Sequence, residues 1–422
     1  MRRLPSSNCV ARSAATALQP VAVLSGSDRL VPDHRDLRST FSTSTAATFA
    51  IFVGSAARVI PTLLAVPIQL DLSWPESDIT GPIAISIAVS ALGAPLAARG
   101  LVRVGARSLL FVSLFVLSAS LALSSVATSP WHLLLLWGVG IGLSGSLSAS
   151  ILGAMIGFRD YSSHCATTFG LFTSTQFLGS AAGLLLVSRA AEALGWRFVL
   201  SAGAAATLLA AFAVVLVLHA RDGRTSPESS AVARLRSPRV TAGKRPIWIL
   251  AAIFFICGAS TIGLIDSRLG ILCMGNGLGL SASADVLAIV AVSGGIGSAA
   301  SGLLADRYPS RMLLTIYFAA RAIALLSLPF TSLNLVELAR FGAFYGLDAA
   351  LTFPALVKLF SRNLNQQAIG RMMSWMMMAH IMGAAITSAL VGYLGIASYA
   401  VSFTLVGFMC LLAAGLVRIS GE

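Results

Sequence analysis

The sequence predicts an all-α polytopic membrane protein, with twelve transmembrane helices in two six-helix bundles. Three observations predict this. Of 422 residues, 56% are hydrophobic and only 11% charged, against about 25% charged in ordinary soluble chains, and the mean hydropathy is +0.86. The apolar residues fall in continuous runs of about 20, the length that crosses a hydrocarbon layer of about 30 Å, rather than in the alternating ~10-residue segments of a membrane β-barrel. A short basic stretch between two apolar runs occurs twice: Arg103, Gly105, Arg107, Leu109 and Leu110 are echoed by Arg307, Pro309, Arg311, Leu313 and Leu314, which marks two related halves.

The chain opens with residues 1–44, rich in Arg, Ser and Ala and without a span-length apolar run. Such a segment buries no core and is expected to be a disordered cytoplasmic extension. An organelle targeting segment and an over-extended gene start both fit it, although Asp28, Asp33 and Asp36 argue against a transit peptide. The spans are expected at 46–70, 79–98, 107–127, 131–157, 164–188 and 196–218, then at 247–271, 281–304, 311–330, 334–359, 367–391 and 398–418. This gives an N-terminal bundle (45–219), a cytoplasmic linker (220–245) with seven Lys and Arg, and a C-terminal bundle (246–422).

Charge placement sets the expected orientation. Arg99, Arg103, Arg107, Arg159, the linker, Arg307, Arg311, Lys358, Arg362 and Arg371 gather on one side, whereas the first loop opposite carries Asp71, Glu76 and Asp78 without a basic residue. Both termini are therefore expected in the cytoplasm. The net charge of +13 is topological and does not indicate nucleic-acid binding, since no soluble domain carries it. Cys9, Cys165, Cys257, Cys273 and Cys410 lack metal-ligand spacing and read as packing residues. Glycines at 138, 140, 142 and 145, at 179 and 183, and at 294, 295 and 297 have the spacing that lets helices pack closely in lipid.

The loop SGLLADRYPSRMLL, Ser301–Leu314, resembles the G-x-L-x-D-R-x-G-R signature of the major facilitator superfamily. It keeps Gly302, Asp306, Arg307 and Arg311, with Pro309 in place of the second Gly. The first copy has Ala98 and Val102 where Gly302 and Asp306 stand. Further stretches resemble the monocarboxylate-transporter-like branch and its bacterial members: IQLDLSWPESDI, GWRFVL at Gly195–Leu200, YGLDAALTFPAL at Tyr345–Leu356, and His380 followed by Gly383. The resemblance covers about residues 46–418. It implies the major facilitator fold, a central cavity lined by spans one, four, seven and ten, and secondary transport by alternating access.

Ionisable groups inside spans point to candidate sites, because each costs about 2.5–3.5 kcal/mol to insert. Arg58, flanked by Gly54 and Pro61, is expected to pair with a substrate carboxylate; an intra-bundle salt bridge is the bland alternative. Asp348, in span ten, is the first choice for proton coupling, with a pairing to Arg321 as its alternative. His380, Asp266 and Arg268 are candidate substrate-binding residues, the last two also candidates for an outer gate. Gly302, Asp306, Arg307, Arg311, Arg103 and Arg107 are the expected conformational-gating set.

The expected function is proton-coupled secondary transport of a small organic anion, a monocarboxylate, by a monomer in a bacterial inner membrane. The partners are a small-molecule substrate, a proton and the lipid bilayer, with no nucleic acid, metal or cofactor. Efflux of hydrophobic compounds is the alternative, weakened by the absence of a G-P-x-x-x-G-G-like run from span five, which reads QFLGSAAGLLL. A non-transporting receptor or a membrane enzyme is more distant; no P-loop, H-E-x-x-H or nucleophile elbow is present.

Overall fold

The computed structural model describes residues 48–146, 165–219, 244–361, 366–395 and 398–419. The expected N-terminal extension and most of the expected linker lie outside these residues, as does the end of span four. All regular structure among the described residues is helical. The helices are α1 (Thr48–Leu72), α2 (Glu76–Ser124), α3 (130–146), α4 (Cys165–Leu194), α5 (Trp196–His219), α6 (244–275), α7 (Leu280–Arg307), α8 (310–330), α9 (Leu335–Ser361), α10 (Gln366–Leu394) and α11 (Tyr399–Ile419). Eight of these, α1, α4–α8, α10 and α11, contain a stretch long and apolar enough to cross a membrane by length and composition.

The expected spans two and three form one helix, α2, of 49 residues. A straight helix of that length would extend about 74 Å. Contacts with α3 show that α2 doubles back instead. Gly138 of α3 lies against Ile85, and Gly142 against Ser86 and Val89, so the first arm runs parallel to α3. Ser120 meets Gly140 while Ser113 Oγ donates to the Ser144 carbonyl at 3.0 Å, so the second arm runs antiparallel to α3. The reversal lies between the arms, where Gly93, Pro95, Gly100 and Gly105 weaken a rod. The separate loop expected at 98–107 is thus replaced by helical backbone that turns on itself.

Ends of helices follow local chemistry. Pro75 precedes α2, whose first turn carries Glu76 and Asp78, favourable beside unpaired N–H groups. Asn334 caps α9 by accepting from the Glu337 N–H at 2.9 Å. The Leu194-to-Trp196 turn depends on Gly195 at φ +83°. Asp71 at the end of α1 fastens this corner, accepting from Trp196 Nε1 at 3.0 Å and from Arg197 at 3.1 Å.

Glycine contacts bring the helices together. The backbone of α1 at Phe52 and Ala56 fills the space where Gly179 and Gly183 of α4 would carry side chains. Gly258 of α6 meets the His380 carbonyl of α10, and Gly383 returns the contact at Phe255. Between the two sequence halves, α4 packs along α7 and α2 along α10. Neutral hydrogen bonds join the first pair: Ser174 Oγ to the Gly295 carbonyl at 2.7 Å and Ser298 Oγ to the Gly170 carbonyl at 3.1 Å. The buried core includes Trp137, Phe254, Phe318 and Phe403.

Candidate functional site

Arg58 extends from α1 toward α2 and α3. Its guanidinium donates to the Ser144 carbonyl at 3.3 Å, its buried Nε has no partner, and no carboxylate pairs with it among the described residues. It lines a small cavity with Gly54, Leu110, Ser113 and Leu114. Gly54 leaves that space open beside the cation.

A second cation, Arg321 of α8, is fully buried and fully engaged. Its Nε donates to Asp348 Oδ2 at 2.9 Å, and its two Nη groups reach the Asp348 carbonyl (3.2 Å), Thr352 Oγ1 (3.2 Å), Ser260 Oγ (3.2 Å) and Cys257 Sγ (3.5 Å). One guanidinium thus ties α8 to α6 and α9. The pairing weighed as the alternative role for Asp348 is present in the fold. Only one carboxylate oxygen is committed, however: Oδ1 is buried without a hydrogen bond.

His380 of α10 joins the same cluster. Its Nδ1 lies 3.2 Å from the Phe254 carbonyl. A carbonyl only accepts, so Nδ1 carries the hydrogen in this bond. Cys257 of α6 lies within electrostatic reach of the His380 side chain. Tyr345 closes the cluster by donating to the Ser260 carbonyl at 2.6 Å. Cys257, Ser260 and Thr352 were not legible as functional positions, since small polar residues in an apolar run carry no pattern. Four helices, α6, α8, α9 and α10, converge here on the Arg321–Asp348 pair.

Asp266 ends the π-helical turn Thr261–Asp266 of α6, a distortion that re-aims side chains and is frequent at functional sites. From Gly263 to Cys273 every residue is buried except Asp266. Asp266 itself is exposed, with His380 within electrostatic reach. Among the described residues it has no hydrogen-bond partner.

Arg268 lies two residues further along and faces elsewhere. It is buried, donates to the Ser388 carbonyl of α10 at 2.6 Å and stands 3.9 Å from Glu76 Oε1 at the start of α2. A Cβ at Gly392 would collide with its guanidinium, so that glycine forms its cradle.

The structure therefore groups Asp348 and His380, with Asp266 near the latter, and leaves Arg58 in the other half and Arg268 at the end of the helices. Arg307 closes α7 and Arg311 opens α8, both exposed; the side chains of Gly302, Asp306, Arg103 and Arg107 lie outside those described. Met376 and Met377 of α10 are buried. No group of His, Cys, Asp or Glu suited to a metal occurs among the described residues.

Comparison with known proteins gives the fold its family. No curated protein matches the chain by sequence. Among solved structures it is similar to the xylose transporter XylE from E. coli in a partially occluded inward open conformation. The TM-score is 0.72 at 14% identity, over 91% of this chain and 98% of that one. The family model of the Major Facilitator Superfamily matches residues 45–338 and 269–420. With both matches spanning nearly all of the helical region, the chain belongs to the Major Facilitator Superfamily and is an integral membrane transporter rather than an enzyme.

Proposed function

We propose that this transporter is a secondary carrier of a small organic anion, a monocarboxylate, and that it couples movement of the anion to a proton. The observation that carries the proposal is Arg58. Among Arg58, Arg268 and Arg321, Arg321 is enclosed by partners and Arg268 is bound to Ser388 and Glu76. Arg58 and Arg268 each keep a buried Nε without a hydrogen bond beside a cavity, but only Arg58 of the three has no carboxylate partner among the described residues. A carboxylate brought by the substrate would supply the missing charge through a planar, two-pronged contact. Asp348 would carry the proton on its unpartnered Oδ1, while His380 and Asp266 would contact the substrate from the other half. The resemblance to the monocarboxylate branch in Tyr345–Leu356 supports the same class. The basic bias supports cytoplasmic termini in a bacterial inner membrane.

Uptake of radiolabelled monocarboxylates into proteoliposomes, with and without an inward proton gradient, tests this reading. Proton-stimulated uptake of one acid is expected. Arg58→Ala is expected to abolish it, and Arg58→Lys to leave a weakened carrier that keeps the charge without the fork. Asp348→Asn is expected to remove the stimulation by the gradient. Movement of a hydrophobic dye with no acid transported would overturn the assignment.

A further inference from the structure

Arg321 leaves its carboxylate partner half satisfied. A guanidinium has five N–H donors, and Arg321 directs them to Asp348 Oδ2, the Asp348 carbonyl, Thr352, Ser260 and Cys257. Those contacts leave nothing for Asp348 Oδ1, which is buried without a hydrogen bond. Tyr317, one turn before Arg321 on α8, is within electrostatic reach of Asp348, and its hydroxyl is likewise buried without a partner. A third such oxygen extends the row: Ser310 Oγ, at the start of α8. Residues 310, 314, 317 and 321 recur at the spacing of one helix face, and all four are buried. At 1.5 Å per residue, Ser310 and Tyr317 stand about 10 Å apart along the axis, and Tyr317 and Arg321 about 6 Å. Unpartnered buried oxygens cost stability; packing alone is met by Ala and Phe at these two positions.

We propose that Tyr317 relays a proton between Asp348 and the end of α8 that carries Ser310 and the exposed Arg311. The proposal rests on the coupling role given above to Asp348 and adds the route by which that proton leaves. The Asp348 Oδ1–H bond breaks as a lone pair of Tyr317 Oη takes the hydrogen. The Tyr317 O–H bond breaks as its own hydrogen passes to water on the Ser310 side, and hydronium leaves at the Arg311 end. Tyr317 ends neutral, as it began, and Asp348 ends ionised against Arg321. In this conformation the two oxygens are not hydrogen-bonded, so the relay is broken, and a turn of either side chain closes it. The other groups around Asp348 are Arg321 of α8, Cys257 of α6, Tyr345 of α9 and Cys410 of α11, with His380 of α10 and Asp266 of α6 beyond them. Arg321 keeps its protons and thiols are weak donors; the Tyr345 hydroxyl is committed to the Ser260 carbonyl. The relay runs along α8, which packs against α9 and α11, whereas His380 and Asp266 stand on α10 and α6. Proton and substrate therefore approach Asp348 from different helices.

The test needs no substrate. The full chain in lipid nanodiscs is followed by time-resolved infrared difference spectroscopy after a rapid drop in pH. Protonation of a buried carboxyl produces a C=O stretching band, and the band lost in Asp348→Asn belongs to Asp348. Tyr317→Phe removes one oxygen and keeps the ring. It is expected to slow the appearance of that band by about a hundredfold, the lower end of what a positioned proton-transfer group contributes. Tyr317→Gln supplies a hydrogen-bond donor that passes on no proton, and is expected to stay slow; a merely structural role for the hydroxyl would let it recover. Ser310→Ala, at the far end of the row, is expected to slow the band less. An Asp348 band that rises at the unaltered rate in Tyr317→Phe, or a rate recovered in Tyr317→Gln, would overturn the relay and leave Asp348 as the coupling group. Absence of any Asp348-dependent band would overturn the coupling role itself, and the relay with it.

Discussion

Arg321 shows how one side chain can be affordable in the membrane. A lone arginine at depth is expensive, but this one has five donor contacts to α6 and α9, and the Phe318 ring lies 5.3 Å from its guanidinium carbon. Removing only the carboxylate leaves the cation buried and unpaired. Asp348→Ala is therefore expected to destabilise the fold by about 3–5 kcal/mol, whereas replacing Arg321 and Asp348 together by Leu is expected to recover most of that loss. Thermal melting in detergent distinguishes the two outcomes. At this scale the sequence was legible in part. Span membership identified Arg321 and Asp348 as residues needing an explanation and named their pairing as one possibility. Cys257, Ser260 and Thr352 were invisible because a hydroxyl or thiol between alanines and phenylalanines looks like packing. The Glu76–Arg268 contact was hidden for another reason: the partners lie on different halves, and no spacing rule connects them.

Among the helices, the small residues read as contact points are where backbones meet. Gly383 lies against the Phe255 carbonyl with no room for a Cβ. Gly383→Val is expected to force α6 and α10 apart at about 1–3 kcal/mol, lowering the yield of monodisperse protein on size-exclusion chromatography. Gly415, with open space around it, is the matched control expected to tolerate alanine. Helix limits were legible to within a few residues because apolar runs and their Pro, Gly and Asn ends determine them. The turn within α2 was not legible as helix, since glycines, a proline and arginines at 93–107 have the composition of a loop. The π-helical turns at Leu134–Ile141 and Thr261–Asp266 likewise leave no mark in hydrophobic periodicity.

For the molecule as a whole, the polar contacts fall into two groups that should respond differently to salt. The Arg189–Asp285 pair is exposed and the Arg321 cluster is sealed. Raising ionic strength from about 0.01 M to about 1 M shortens the screening length from about 30 Å to about 3 Å. The Arg189–Asp285 pair is expected to weaken, while the melting of the Arg321-dependent core is expected to shift little. The Arg321 cluster also bears on how the chain is made. During synthesis α6 emerges first with Cys257 and Ser260, then α8 with Arg321, and the balancing Asp348 follows only 27 residues later. For that interval α8 holds an uncompensated cation at an insertion penalty of about 2.5–3.5 kcal/mol. A nascent chain stopped just after α8 is therefore expected to leave this helix incompletely inserted. Extending the chain through α9 is expected to complete its insertion, so that the two helices enter the bilayer as a pair.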